Sequence, residues 1–273
     1  MRLSIEHITS YEYGASVFLE PHHLYFYPSY RPHIDLVSFE MEVSPRPSGL
    51  SIRLNAENDS YHQCWFNDQL DRVSFRAAMV LDIAEINPFD FLIEDSPKTD
   101  HEAILDVYRH PKLQMSPGLT KWSNEMAQLT DGNPITFLSM LNKEINLGWK
   151  HKIRYEYNLM TPDDCFLSKE GSCRDLSWMM IQILRNQNIP ARFVSGYAYN
   201  PELIGHELHA WVEAWVSGAG WIGLDPSAGL FVNDAYVPIT ASYHPYNTLP
   251  VQGTYKGDAA SKLTTEVNIE SLD

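Results

Sequence analysis

Cysteine is scarce in this 273-residue chain: Cys64, Cys165 and Cys173 are too few and too scattered for a disulfide framework. Long hydrophobic runs are missing too. No stretch approaches the roughly 18 apolar residues that a membrane span needs. The opening Met1-Arg2-Leu3-Ser4-Ile5-Glu6-His7 lacks the apolar core of a secretion signal, so a cytoplasmic protein without a membrane partner is expected. Positive charge is also in short supply. Twenty Lys and Arg against 35 Asp and Glu leave a net charge of −15, and no basic cluster stands out to neutralise phosphates, so a nucleic-acid partner is not expected. Internal repeats and low-complexity segments are absent.

What remains is an ordinary globular composition, 44% hydrophobic and 20% charged, in a chain long enough for two domains. Leu3, Ile5, His7, Thr9, Tyr11 and Tyr13 alternate with polar neighbours. So do Val37, Phe39, Met41 and Val43, and then the run from Val73 to Ile83. Proline- and glycine-rich turns separate these runs. They predict an antiparallel β-sandwich or barrel over residues 1–95. Helical spacing follows at Ala103, Ile104, Val107 and Tyr108, and again at Ile135, Leu138, Leu141 and Ile145 behind Asn133-Pro134. A third helix starts at Cys173 and stops before Pro190. Strands are predicted over residues 192–199, 208–216, 221–224 and 235–240. The expected organisation is α+β: a β-domain, a second domain over 96–260, and a polar tail over 261–273.

Ser172-Cys173-Arg174-Asp175 fits a capping box, with Ser172 as N-cap and Asp175 at N3. Cys173 then sits at N1, facing unpaired N–H groups and the positive end of the macrodipole, both of which favour thiolate. Gly171 would let a substrate backbone approach the sulfur. The competing reading is plain helix-start grammar around a small core residue.

A thiolate needs a partner, and the partner an orienter. From Leu208 to Val216 the even positions are aliphatic, whereas the odd ones are His209, Trp211, Glu213 and Trp215. One face packs a core and the other carries the histidine, with Trp211 a candidate cleft wall. A hairpin folded about Ser217 sets Asp225 opposite His209 on one face. A one-residue slip would separate them. Cys173, His209 and Asp225 are therefore the candidate catalytic set of a cysteine-nucleophile acyl-transfer enzyme. Cys64 and Cys165 read as structural.

At these residues the sequence resembles the transglutaminase-like superfamily, which shares the papain-like cysteine-protease core. The carrying segments are Gly171-Ser172-Cys173-Arg174-Asp175, Ile189 to Tyr197, His209 to Trp215 and Trp221 to Ser227. The opening, Leu3 to Tyr13 followed by Leu19-Glu20-Pro21-His22, is similar to the N-terminal β-domain of the bacterial branch. The stretch Ile239 to Tyr246 departs from that branch's pattern. The resemblance implies a helix-borne Cys173 packed on an antiparallel sheet, His209 as general base and acid, and Asp225 as its orienter. It also implies a peptide or protein amide substrate. The backbone N–H of Cys173 is the natural first oxyanion donor; Tyr157 and Asn158 are candidates for the second, and Asp175 for support.

A zinc site from Cys165, Cys173, His206 and His209 has the wrong spacing, and His206-Glu207-Leu208-His209 is not His-Glu-x-x-His. No metal or organic cofactor is implied. The alternative to an enzyme is a catalytically silent peptide-binding module of the same fold.

Overall fold

The computed structural model describes residues 1–94, 102–154, 156, 158–203 and 205–273. The expected boundary at 95–96 and Tyr157 lie outside them. The first domain contains β1 (Arg2–Leu19), β2 (His22–Leu24), β3 (Ile34–Ser44), β4 (Gly49–Leu54), β5 (Ser60–Trp65) and β6 (Gln69–Ile83). The second has α1 (Glu102–Asp106), α2 (Pro117–Gln128), α3 (Pro134–Gly148), β7 (Lys150–His151), α4 (Pro162–Ser168), β8 (Glu170–Gly171) and α5 (Cys173–Asn186). It continues through β9 (Ala191–Ala198), β10 (His209–Val216), β11 (Gly220–Asp225), β12 (Leu230–Phe231) and β13 (Tyr236–Ser242). The chain then returns to the first domain as β14 (Val251–Gln252), β15 (Tyr255–Lys256) and β16 (Ser261–Ser271).

The expected β-domain consists of two antiparallel sheets. β1 is flanked by β6 on one side and by β15 and β16 on the other, with β3 beyond β6. The second sheet runs β14-β2-β5-β4. Val17, Leu24, Phe26, Cys64 and Phe75 fill the space between them. The alternation of β1 is the cause of its burial: Leu3, Ile5, His7 and Thr9 point inward while their neighbours are half-exposed.

Residues 261–273 correct the expectation of a polar tail. β16 pairs antiparallel with β1 from Leu3↔Ser271 to Tyr13↔Ser261. Val267 and Ile269 are buried, but nearly every other side chain of β16 faces solvent, so its composition reads as polar although Thr, Val and Ile are strand formers.

The second domain is the expected helix-on-sheet core. Its sheet runs β12-β11-β10-β9-β13, all antiparallel. Leu176, Met180, Ile183 and Leu184 of α5 pack on Ala210, Val212, Ala214, Ile222 and Leu224, the aliphatic face of β10 and β11. The Asn133 cap of α3 is present, its side chain accepting from Thr136 N–H at 3.0 Å. The domains share a core: Leu3, Ile5 and Ile269 pack on Tyr197, Val237 and Ile239. Glu213 adds a buried clamp, receiving Arg31 from the first domain at 2.6 Å and Arg192 at 2.6 Å. Among the described residues no helix is long and apolar enough to cross a membrane.

Candidate active site

The site is assembled where α5 begins. Ser172 is the N-cap, its hydroxyl accepting from Asp175 N–H at 3.4 Å, while Asp175 accepts the Ser172 N–H at 2.9 Å and its hydroxyl at 2.7 Å. The capping box is complete, and Cys173 occupies N1. Asp175 also receives Arg154 at 2.7 Å and Met160 N–H at 2.8 Å. Burial pushes its carboxyl up, but these donors outweigh burial and hold it below the usual carboxylate range. Asp175 thus fixes the helix start from beneath.

His209 opens β10 and is half-buried. One imidazole nitrogen, Nε2, lies 2.7 Å from Asp225 Oδ2. The hairpin register sets Val216 opposite Gly220 and Val212 opposite Leu224. Its centre is therefore Gly218, one residue beyond the expected Ser217. The positive φ of Gly218 and Gly220, 86° and 79°, lets the chain turn there. A one-residue move of the centre displaces the partner by two, so the face is preserved. Asp225 consequently reaches His209 diagonally. Its other oxygen accepts Ser227 N–H at 2.9 Å and the Ser227 hydroxyl at 2.6 Å, and Tyr236 donates to Oδ2 at 2.8 Å. Burial raises the Asp225 carboxyl, yet the His209 charge and these donors bring it down to about 2.

The Cys173 thiol is half-buried and lies close to two imidazoles, those of His209 and His151, both of which act on its ionisation. Burial alone would raise it. The His209 charge and the two imidazoles prevail and lower it to about 6. Conversely, burial lowers His209, while Asp225 and the Cys173 thiolate raise it well above its ordinary value. The two groups therefore favour the thiolate–imidazolium form.

His151 was not legible in the sequence. It sits on β7, which pairs in parallel with β8 so that His151 lies beside Gly171, two residues before Cys173. Tyr236 was also missed, since it arrives from the start of β13 with no local signal. Asn158 is exposed, and its carbonyl accepts Arg154 Nη2 at 3.5 Å.

Two other expectations are corrected. Gly171 is buried, and a Cβ there would lie 3.0 Å from Asp175 Cβ and 3.1 Å from Cys165 Sγ. Glycine is needed for interior packing, not for substrate approach. Trp211 is fully buried, edge-on to Tyr236 at 5.4 Å, so it supports the floor under His209 and walls no open cleft. Cys64 and Cys165 are sealed, and burial pushes both thiols up to about 12. Among the described residues no three His, Cys, Asp or Glu side chains are grouped to hold a metal.

A cavity of about 280 Å³ adjoins His209 and Arg174. A wider one, about 600 Å³, lies at the far end of β10 around Ser217–Gly220, and none of its lining residues belongs to the Cys173 cluster.

Comparison with known proteins agrees with the fold. A solved protein of Cytophaga hutchinsonii, named as a candidate cysteine protease, superposes with a TM-score of 0.76 at 17% identity, covering 100% of this chain and 91% of that one. At that identity the likeness is one of fold. An uncharacterised protein of Mycobacterium leprae is 30% identical over 108 residues, 37% of this chain and 38% of that protein. A protein-glutamine gamma-glutamyltransferase of Pseudomonas aeruginosa is 38% identical over 73 residues, 24% of this chain and 11% of that protein. The chain thus spans well under half the length of these relatives. Residues 127–226 match the transglutaminase-like superfamily and residues 3–82 the bacterial transglutaminase-like N-terminal region. With both matches in their expected order, the chain belongs to the transglutaminase-like superfamily, in the bacterial branch that carries an N-terminal β-domain.

Proposed function

We propose that the protein is a cysteine acyl-transfer enzyme that opens peptide or side-chain amides through a thioester on Cys173. The observation that carries this reading is the Cys173 sulfur at a capped helix start, beside His209, whose Nε2 is held by Asp225 at 2.7 Å.

The thiolate attacks the amide carbonyl carbon, forming the C–S bond and pushing the carbonyl electrons onto oxygen. That oxyanion lies two bonds from the sulfur. The N1 backbone N–H of Cys173, which no intrahelical carbonyl reaches, is one donor to it. His151 is the second, because a side chain beside the sulfur needs only a small shift to meet the new oxygen. His209, as imidazolium, protonates the departing amine as the C–N bond breaks. Neutral His209 then takes a proton from water or from an incoming amine, which attacks the thioester and restores the thiolate. Asp225, fixed by Ser227 and Tyr236, keeps the imidazole oriented through both halves.

The test uses a glutamine-containing peptide with and without a primary amine. Exchange of the amine into the peptide marks a transamidating enzyme, and release of acid alone marks an amidase or protease. Activity that survives Cys173→Ala refutes the assignment. Thioester-free binding of peptide with no turnover would identify the silent module instead.

A further inference from the structure

The cavity beside His209 has one wall that the catalytic domain does not supply. On the core side it is lined by Phe193, Leu159 and Leu249. On the other side are His7, Thr9 and Tyr11 of β1 and Leu263 and Thr265 of β16. The strand register explains this. Ile5 pairs with Ile269 and His7 with Val267, and Ile5, Ile269 and Val267 belong to the cluster that seals the domains together. Two residues further along, Thr9 pairs with Thr265 and Tyr11 with Leu263. The same inward face therefore runs past the sealed interface and overhangs the space next to His209. Leu263 is 55% exposed, a large apolar side chain in the run Lys262-Leu263-Thr264-Thr265-Glu266, and its place over the cavity accounts for it.

The polar groups in these walls are mutually engaged. His7 Nδ1 meets the Tyr197 hydroxyl at 3.0 Å, and Nε2 meets the Thr265 and Thr9 hydroxyls at 3.1 Å each. Burial lowers His7 to about 4, so the ring is neutral near pH 7. Ser195 donates to Thr248 at 2.8 Å, and Thr248 to Pro245 O at 2.8 Å. Charges stand at the mouth: Arg154 is paired with Asp175, Arg174 donates to the carbonyls of Arg154 and Glu156, and Glu207 is exposed. About 280 Å³ falls below the roughly 300–1,000 Å³ of whole-ligand pockets. The space suits one bulky side chain.

Resting on the acyl-transfer reading above, we propose that the N-terminal β-domain, completed by β16, reads the acyl donor by accepting one bulky, uncharged apolar side chain next to the reacting carbonyl. An apolar group gains from leaving water for these walls, whereas a charged one would lose its hydration against the apolar side chains deeper in, away from the ions at the mouth.

The experiment follows p-nitrophenol release above the protein-free rate, and acylation of Cys173 by mass, using the p-nitrophenyl esters of acetic, 3-phenylpropionic and succinic acids. Wild type, Leu263→Asp, Thr265→Trp and Cys173→Ala are compared. The wild-type protein is expected to react faster with the phenylpropionyl ester than with the acetyl ester, and slowest with the succinyl ester. Leu263→Asp makes the wall charged and Thr265→Trp fills the cavity. Each should cut the phenylpropionyl-to-acetyl rate ratio by about 10-fold or more. The ratio is internal to each sample, so partial unfolding cannot imitate it. An unchanged ratio in both variants, or a wild-type preference for the succinyl ester, overturns the proposal while leaving Cys173 chemistry intact. Acylation that is absent from wild type or persists in Cys173→Ala overturns the acyl-transfer reading itself, and this proposal with it.

Discussion

Cys165 and Cys173 lie at the ends of one short stretch, and both adjoin the Asp175 shell, yet their surroundings make them opposite groups. The Cys165 sulfur is walled in between α4 and Gly171, with a long contact to Glu170 O at 3.8 Å. Burial is its dominant influence, Asp175 adds to it, and the thiol rises to about 12. Cys173 feels burial as well, and to first order it should behave the same way. What reverses the outcome is a pair of imidazoles, which bring it to about 6, and the helix start favours thiolate in the same direction. Closeness to a polar network does not make a thiol reactive. A partner that becomes positive as the sulfur becomes negative does.

The largest expected effect is on alkylation. At pH 7 a thiol near 6 is mostly thiolate, whereas one near 12 is ionised to about one part in 10⁵, a gap that the lower intrinsic nucleophilicity of Cys173 only partly closes. Iodoacetamide with peptide mapping should label Cys173 at least about 10³-fold faster than Cys64 or Cys165. His209→Ala should remove most of that advantage. Uniform slow labelling of all three in the wild-type protein would erase the contrast.

The pH profile sharpens it. Because the folded-state thiol is depressed from its ordinary value, reactivity is present above about 6 and lost as pH falls through it. The alkylation rate of Cys173 should therefore rise through about pH 6 and then level. In His209→Ala the inflection should move toward the ordinary thiol range, and an inflection that stays put would mean that His209 does not set the ionisation.

Part of this contrast was readable beforehand. A capping box is local, so Ser172 to Asp175 announced the helix start and the N1 position of Cys173. Strand periodicity preserved the face shared by His209 and Asp225 even though the turn centre lay one residue off, since a displacement of two keeps side chains on one side. His151 was hidden because a parallel pair of only two residues brings it beside Cys173, too short to carry a strand period. β16 was hidden for a different reason: charged and polar residues dominate its composition, although Leu263, Thr265, Val267 and Ile269 alternate with them. Gly171 was read as openness because sequence shows that a side chain is missing, not what occupies its place.

His151 offers an intermediate effect. Alkylation at a methylene needs only the thiolate, whereas acylation must also stabilise an oxyanion. His151→Leu should slow acylation by p-nitrophenyl acetate by about 10²-fold, in the range for one lost oxyanion donor. Alkylation should fall by much less, and His151→Gln, which keeps an N–H, should recover part of the loss. Equal losses in both reactions would assign His151 to thiolate stabilisation alone.

The smallest effect belongs to the quiet partner. Cys165→Ala removes a sulfur from a site with no solvent exposure, leaving a void of less than one side chain beside Gly171 and Asp175. A loss of about 1 kcal/mol is expected, read as a fall of a few degrees in Tm. Activity and the Cys173 profile should not move, because Asp175 is held by Arg154, Met160 and Ser172 independently of that sulfur. If Cys165→Ala instead shifts the Cys173 inflection, the two thiols are coupled through the Asp175 shell. The reactive sulfur would then owe its state to the packing beneath the helix as well as to the imidazoles beside it.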